Sequence, residues 1–178
     1  MGGRTMNNGG HLWAIGYNDM ERAEAVRAEI AKLSERHCLM LLDTAVVVCY
    51  PDGSVTLEGE PFVAPINLCR HNFASFLAGL ALGAPPLTGA AVGAVVRGAG
   101  AVGKLGIDKE FVGQVKTLIN PGTSALFVLD QEGDMAAILQ GIRGLGGIVL
   151  KTNVDLNRAK LIQTALSDSA KLNSQDCQ

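Results

Sequence analysis

The chain has 178 residues, enough for one domain or for one domain carrying an insert. Apolar residues make up 48%, charged residues 18%, and the formal charge is −2, so no electrostatic argument favours nucleic acid. Lys and Arg are scattered, without the basic, aromatic-interleaved stretch that a nucleic-acid face carries.

The opening MGGRTMNNGG is polar and glycine-rich with no apolar core, which predicts a flexible tail over 1–10 and no signal peptide. His11 to Tyr17 reads as a short apolar strand. Asn18 stands where a helix N-cap would, with Glu21 three residues on. Ala23, Val26, Ile30 and Leu33 fall at helical spacing, with Glu24, Arg27, Glu35 and Arg36 outside. Thr44 to Tyr50 is β-branched and reads as a central strand; Pro51-Asp52-Gly53 is a turn, and Ser54 to Glu58 returns as its hairpin partner.

Phe73 to Val96 (FASFLAGLALGAPPLTGAAVGAVV) contains no charged residue. Small residues recur four apart at Ser75, Gly79 and Gly83, then Gly89 and Gly93, with Ala90, Ala94 and Gly98 one step round. On a helix this makes a smooth stripe where two backbones approach closely. Pro85-Pro86 interrupts the run, since proline cannot donate a helix hydrogen bond and restricts the residue before it. The prediction is a helical hairpin with a glycine zipper, packing through Gly79, Gly83, Gly89, Gly93 and Gly98 and turning at Pro85 and Pro86. The two arms would be about 20 and 24 Å long at about 1.5 Å per residue. A bilayer core of about 30 Å exceeds both, so a re-entrant or interfacial hairpin is favoured over two crossings. The competing reading is a helix pair buried between subunits.

Beyond the run, Asp108 can cap a short helix carrying Phe111, Val112, Val115 and Leu118, and Pro121-Gly122 is a turn. Ser124 to Asp130 reads as a strand, Met135, Ile138, Leu139 and Ile142 mark a helix, and Gly144, Gly146 and Gly147 end it. Ile148 to Thr152 is a further strand, and Asp155 is placed to cap a last helix through Ala170. Strand, amphipathic helix, strand thus appears twice, at 11–50 and 124–152. Two such units in one sheet make a ferredoxin-like α/β (α+β) sandwich. The expected organisation is a single domain over 11–170, an insert over 72–104, and a tail over 171–178. Both units lie on one side of any bilayer, so the insert must return to where it began. Its removal is expected to leave a folded domain.

The stretches LWAIGYNDMERAEAVRAEI, the glycine run with its prolines, LGIDKEFV, PGTSALFVL and GGIVLKT resemble, over about residues 11–170, the bacterial family called domain of unknown function 1269. The resemblance implies a predicted membrane protein without an assigned activity, so no catalytic residue is carried over. Arg97 departs from the smoother apolar run of that family, as do the cysteines.

Several residues invite chemistry that their context does not support. Gly98, Gly100 and Gly103 match G-x-G-x-x-G, and Gly98, Gly103 and Lys104 match G-x4-G-K. The residue after Lys104 is Leu105, without the Mg²⁺-binding hydroxyl, and no strand pattern precedes the motif. His37-Cys38 with Cys69-x-His71 lacks zinc-ligand spacing, and His71 with Ser75 lacks an orienting acid. Cys38, Cys49, Cys69 and Cys177 show no paired spacing and fit reduced thiols in a cytoplasm, Cys49 as a small core residue. Trp13 reads as sheet core, and Asp43 and Asp130 as solvated or capping residues at strand ends. The expectation is a non-enzymatic, self-associating protein with no cofactor or metal. Its partners are its own copies and lipid at the inner face of the membrane, not nucleic acid. The alternative is a soluble small-ligand or stress-related binding module with the hairpin buried at a subunit interface.

Overall fold

The computed structural model describes residues 9–36, 39–61, 105–133 and 144–157, together with Ala74, Leu77, Ala78, Ala81, Leu82 and Gln140. The elements in chain order are β1 (Gly9–Tyr17), α1 (Arg22–Glu35), β2 (Leu39–Cys49), β3 (Val55–Leu57), β4 (Glu60–Pro61), α2 (Lys109–Leu118), β5 (Thr123–Gly133) and β6 (Ile148–Asp155). The strands form one six-stranded sheet in the order β4-β3-β2-β5-β1-β6, and every pairing is antiparallel. The fold is α+β.

The expected elements are present with shifted ends. β1 begins two residues early, because Gly9 and Gly10 pair with Asp155 and Val154. β2 begins five residues before Thr44; its first half, LMLLD, lacks β-branched residues and is irregular, with register shifts between Leu39, Leu41 and Asp43. Asn18 does not cap α1. The helix starts at Arg22, and Asp19 Oδ1 accepts from the Arg22 N–H at 2.6 Å. Ser124 on β5 completes the cap: its Oγ accepts from the Ala23 N–H and donates to the Asp19 carbonyl. Local spacing could not reveal a cap borrowed from a strand a hundred residues away. The helix predicted around Met135 to Ile142 and the last helix lie outside the described residues, apart from helical Gln140, Leu156 and Asn157.

At α2 the sequence reading holds. Asp108 Oδ1 accepts from the Phe111 N–H at 2.6 Å, and Thr152 Oγ1 on β6 lies 3.4 Å from the Asp108 carboxylate, tying the helix start to the sheet. A short hairpin follows β3: Glu58 (φ 53°) and Gly59 (φ 79°) both take positive φ, the type I′ geometry that matches strand twist, and the chain returns as β4.

The central strands are buried on both faces. Trp13, Ile15 and Tyr17 of β1 face Ala23, Val26 and Ile30 of α1. Leu12 and Ala14 face a larger core built from Phe111, Val115 and Leu118 of α2, Leu105, Ile107 and the apolar segment's Ala74, Leu77, Ala78 and Ala81. Two-sided burial explains why β1 and β5 carry continuous apolar runs and not alternation. Ala74, Leu77, Ala78 and Ala81 are helical and 0% exposed, so this part of the expected insert is core. Deleting 72–104 would therefore remove Ala74, Leu77, Ala78 and Ala81 from the core on this face, leaving α2, Leu105 and Ile107 to cover it. Gly79, Gly83, Gly89, Gly93, Gly98, Pro85 and Pro86 lie outside the described residues.

Leu77→Ala should lower the unfolding free energy by about 2–5 kcal/mol, the usual cost of a truncated core leucine. Leu42→Ala, at an exposed position, should stay within about 0.5 kcal/mol of wild type. Urea denaturation of the two variants is the measurement.

Candidate functional site

The most chemically distinctive place among the described residues is one end of the face that carries α1. Antiparallel pairing sets Asp130 of β5 beside His11 of β1, and His11 in turn beside Asn153 of β6. Asp130 is completely buried. Its Oδ1 lies 2.8 Å from His11 Nδ1, and its Oδ2 accepts from Trp13 Nε1 at 2.9 Å. A buried carboxylate is costly unless hydrogen-bonded, and here each oxygen has a partner. This corrects the reading of Asp130 as a solvated or capping residue at a strand end. β5 continues three residues past it, so its side chain projects into the packed face.

An ionised carboxylate only accepts, so Asp130 requires the proton on His11 Nδ1. That leaves Nε2 on the outer side of a ring whose side chain is 31% exposed. Among the described residues Nε2 has no hydrogen-bond partner. The imidazole and indole centroids are 6.1 Å apart, and Lys151 Nζ stands 4.9 Å above the Trp13 ring, a cation–π contact. The pair is a carboxylate-oriented imidazole. It could accept a proton, donate a hydrogen bond or ligate a metal. Among the described residues no group of three His, Cys, Asp or Glu is gathered as a ready metal cage.

A second feature on this face lies at the other end of β1. The Tyr17 hydroxyl is buried and has no hydrogen-bond partner among the described residues. Gly147 (φ 108°) packs so closely that an added Cβ would stand 2.8 Å from Tyr17 Cε1, which demands glycine twice over. Burial pushes the Tyr17 phenol up to about 12, with Arg22 opposing and Asp19 reinforcing the shift.

Other singled-out residues are spread apart. Trp13 and Cys49 are core residues, as expected, and burial pushes the Cys49 thiol up, away from nucleophilic use. Asp43 lies within β2 and does cap: its Oδ2 accepts from the Ala74 N–H and its Oδ1 from the Thr44 N–H. His37, Cys38, Cys69, His71, Ser75 and the phosphate-like motif 98–104 lie outside the described residues. Immediately after that motif, Leu105 and Gly106 form a turn against β6, with the Asp155 N–H donating to the Leu105 carbonyl. The helix begins only at Lys109. His11 was missed as a site because neither of its cross-strand neighbours is near it in sequence. The only local signal was a histidine opening an apolar strand.

Asp130→Ala should destabilise by about 3–5 kcal/mol, since it strands two donors at a buried position, and should shift Trp13 emission. Urea unfolding followed by fluorescence reads both. Tyr17→Phe should be neutral to stabilising by about 1 kcal/mol, because an unpartnered buried hydroxyl is removed. The raised pKa has a definite sign. Stability is fully present below the unfolded tyrosine value of about 10 and is lost as pH rises through about 12. Comparing urea midpoints at neutral pH and near pH 11, Tyr17→Phe should lose less than wild type.

No helix of the described residues is long and apolar enough to cross a membrane. No curated protein and no solved structure matches the chain. Residues 72–167, more than half of the chain, match the family described as Protein of unknown function (DUF1269), and the chain belongs to that family.

Proposed function

We propose that this chain is a non-enzymatic, self-associating protein whose glycine-rich run packs against its own copies or against lipid. One observation carries the reading: the first part of the run and the residues just after the insert are rooted in the same core. Ala74, Leu77, Ala78 and Ala81 at its start, and Leu105 and Ile107 beyond its end, are fully buried on one face of the sheet. Residues 83–104 join two anchors on a single face, as a hairpin turning at Pro85-Pro86 with its first arm in the core requires. Their only charges are Arg97 and Lys104. The small-residue stripe at Gly89, Gly93 and Gly98 would let such a hairpin meet a second helix at short range.

The strand order supports a ferredoxin-like arrangement. β5 lies between β1 and β2, the two strands joined by α1, and β6 lies outside β1, as two interleaved β-α-β units require. The depth at which the first flank is buried also supports the second reading, a soluble module whose run is enclosed between subunits. Lipid and protein burial are separable by experiment.

Flotation of the purified chain with vesicles should carry it to the lipid fraction if lipid is the partner. Light scattering should give an assembly larger than one chain if its own copies are. Gly93→Leu should shift the protein to smaller assemblies or aggregates, because overpacking a close contact costs about 1–3 kcal/mol. Val92→Leu, beside the stripe, is the control. A monomeric wild type that stays at the bottom of the gradient would end the proposal, as would Gly93→Leu matching Val92→Leu.

A further inference from the structure

We propose that His11 Nε2 is a modification site: a nucleophile that accepts a phosphoryl group from a small phosphoramidate or acyl phosphate, with Asp130 as the residue that positions the imidazole. The site stands on the α1 face of the sheet, opposite the core that takes in the start of the glycine-rich run, so it does not rest on self-association. A neutral imidazole has one nitrogen with a free lone pair, and the hydrogen bond made by the other nitrogen decides which. Asp130 is completely buried and both its oxygens are occupied, Oδ1 by His11 Nδ1 at 2.8 Å and Oδ2 by Trp13 Nε1 at 2.9 Å. The proton is therefore held on Nδ1 and the lone pair lies on Nε2. Among the described residues no donor takes that lone pair, and the His11 side chain is partly open to solvent. The carboxylate on the far nitrogen also makes Nε2 more basic.

Histidine is among the side chains that form covalent intermediates, and a third group that fixes its orientation activates it. The Nε2 pair forms a bond to phosphorus while the bond from phosphorus to the leaving group breaks. That electron pair departs with ammonia, from the protonated nitrogen of a phosphoramidate, or with the carboxylate of an acyl phosphate. The Nδ1 proton stays in place. The ring, now substituted on one nitrogen and protonated on the other, is cationic, and Asp130 is the buried negative charge already bonded to it. An ordinary exposed histidine lacks that counter-charge. The same bond closes off Nδ1, so only one product can form on the folded chain. Lys151 favours an anionic group over an uncharged one: its Nζ stands 4.9 Å above the Trp13 indole, whose centroid lies 6.1 Å from that of the imidazole.

The chain has three histidines, so the full chain carrying His37→Gln and His71→Gln isolates His11. Incubated with phosphoramidate, it should gain one phosphoryl group by intact mass, and phosphorus NMR should place that group on Nε2 alone. His11→Gln in the same background should take none. In urea, where Asp130 no longer guards Nδ1, both nitrogens of His11 should react. Asp130→Asn should lose the selectivity in the same way, with the emission of Trp13, the only tryptophan, reporting that the fold is kept. Peptide mapping of the unsubstituted chain reads the His11 product without any variant. A folded chain that takes no phosphoryl group on His11, or takes it on Nδ1, would overturn the proposal. Lys151→Met should slow the reaction with phosphoramidate and leave that with uncharged diethyl pyrocarbonate unchanged. Equal effects on the two reagents would overturn the assignment to a phosphoryl group.

Discussion

The sheet depends on β5 lying between β1 and β2. These pairings join segments far apart in the chain, from Cys49 with Thr123 to His11 with Asp130, and the entropy of closing such loops must be repaid by contacts on both strands. β5 makes those contacts along most of its length, and a polar side chain stands at each limit of its pairing with β1. At one end Ser124 caps α1 and holds the Asp19 carbonyl. At the other, Asp130 gathers His11 and Trp13. Between them Ala125 to Leu129 is buried on both faces, which is why helices from two different parts of the chain are needed to cover the sheet.

The outer side of β2 is managed by side chains. β3 is only three residues long and pairs with β2 from Val47 to Cys49. At Val46 the pairing strand has run out, and the Glu58 carboxylate takes over. Its Oε1 accepts from the Val46 N–H and its Oε2 from Arg27 Nη1, so the turn is also tied to α1. Asp43 accepts from the Thr44 N–H in the same way and from the Ala74 N–H beyond it. Carboxylates placed on backbone N–H groups satisfy donors that would otherwise invite another strand. Asp43 also ties this part of β2 to the apolar segment.

That anchoring changes how the glycine-rich run is understood. A freely tolerated insert would join the domain through exposed ends, whereas here its described flanks form part of the main core. The described residues at its start belong to the core of the fold. The face carrying α1 is chemically different, with an oriented imidazole and a cation stacked on an indole. One sheet therefore presents an apolar side that takes in the start of the glycine-rich run and a polar corner at His11 and Asp130.

Much of this fold was legible in the sequence. Helical spacing of Ala23, Val26 and Ile30 marked α1, Asp108 marked the start of α2, and β-branched or apolar runs marked β2 and β5. These are local signals, set by side-chain periodicity and by a carboxylate three residues from the N–H it accepts. The cap of α1, the early half of β2, the β3–β4 hairpin and the burial of Ala74, Leu77, Ala78 and Ala81 were not legible. Each rests on a partner far away in the chain, or on a positive-φ glutamate that composition does not announce. The same holds for the candidate site. His11, Asp130 and Asn153 are unremarkable where they stand in the sequence, and only strand register sets them side by side, because residues adjacent across a sheet have no fixed spacing along the chain.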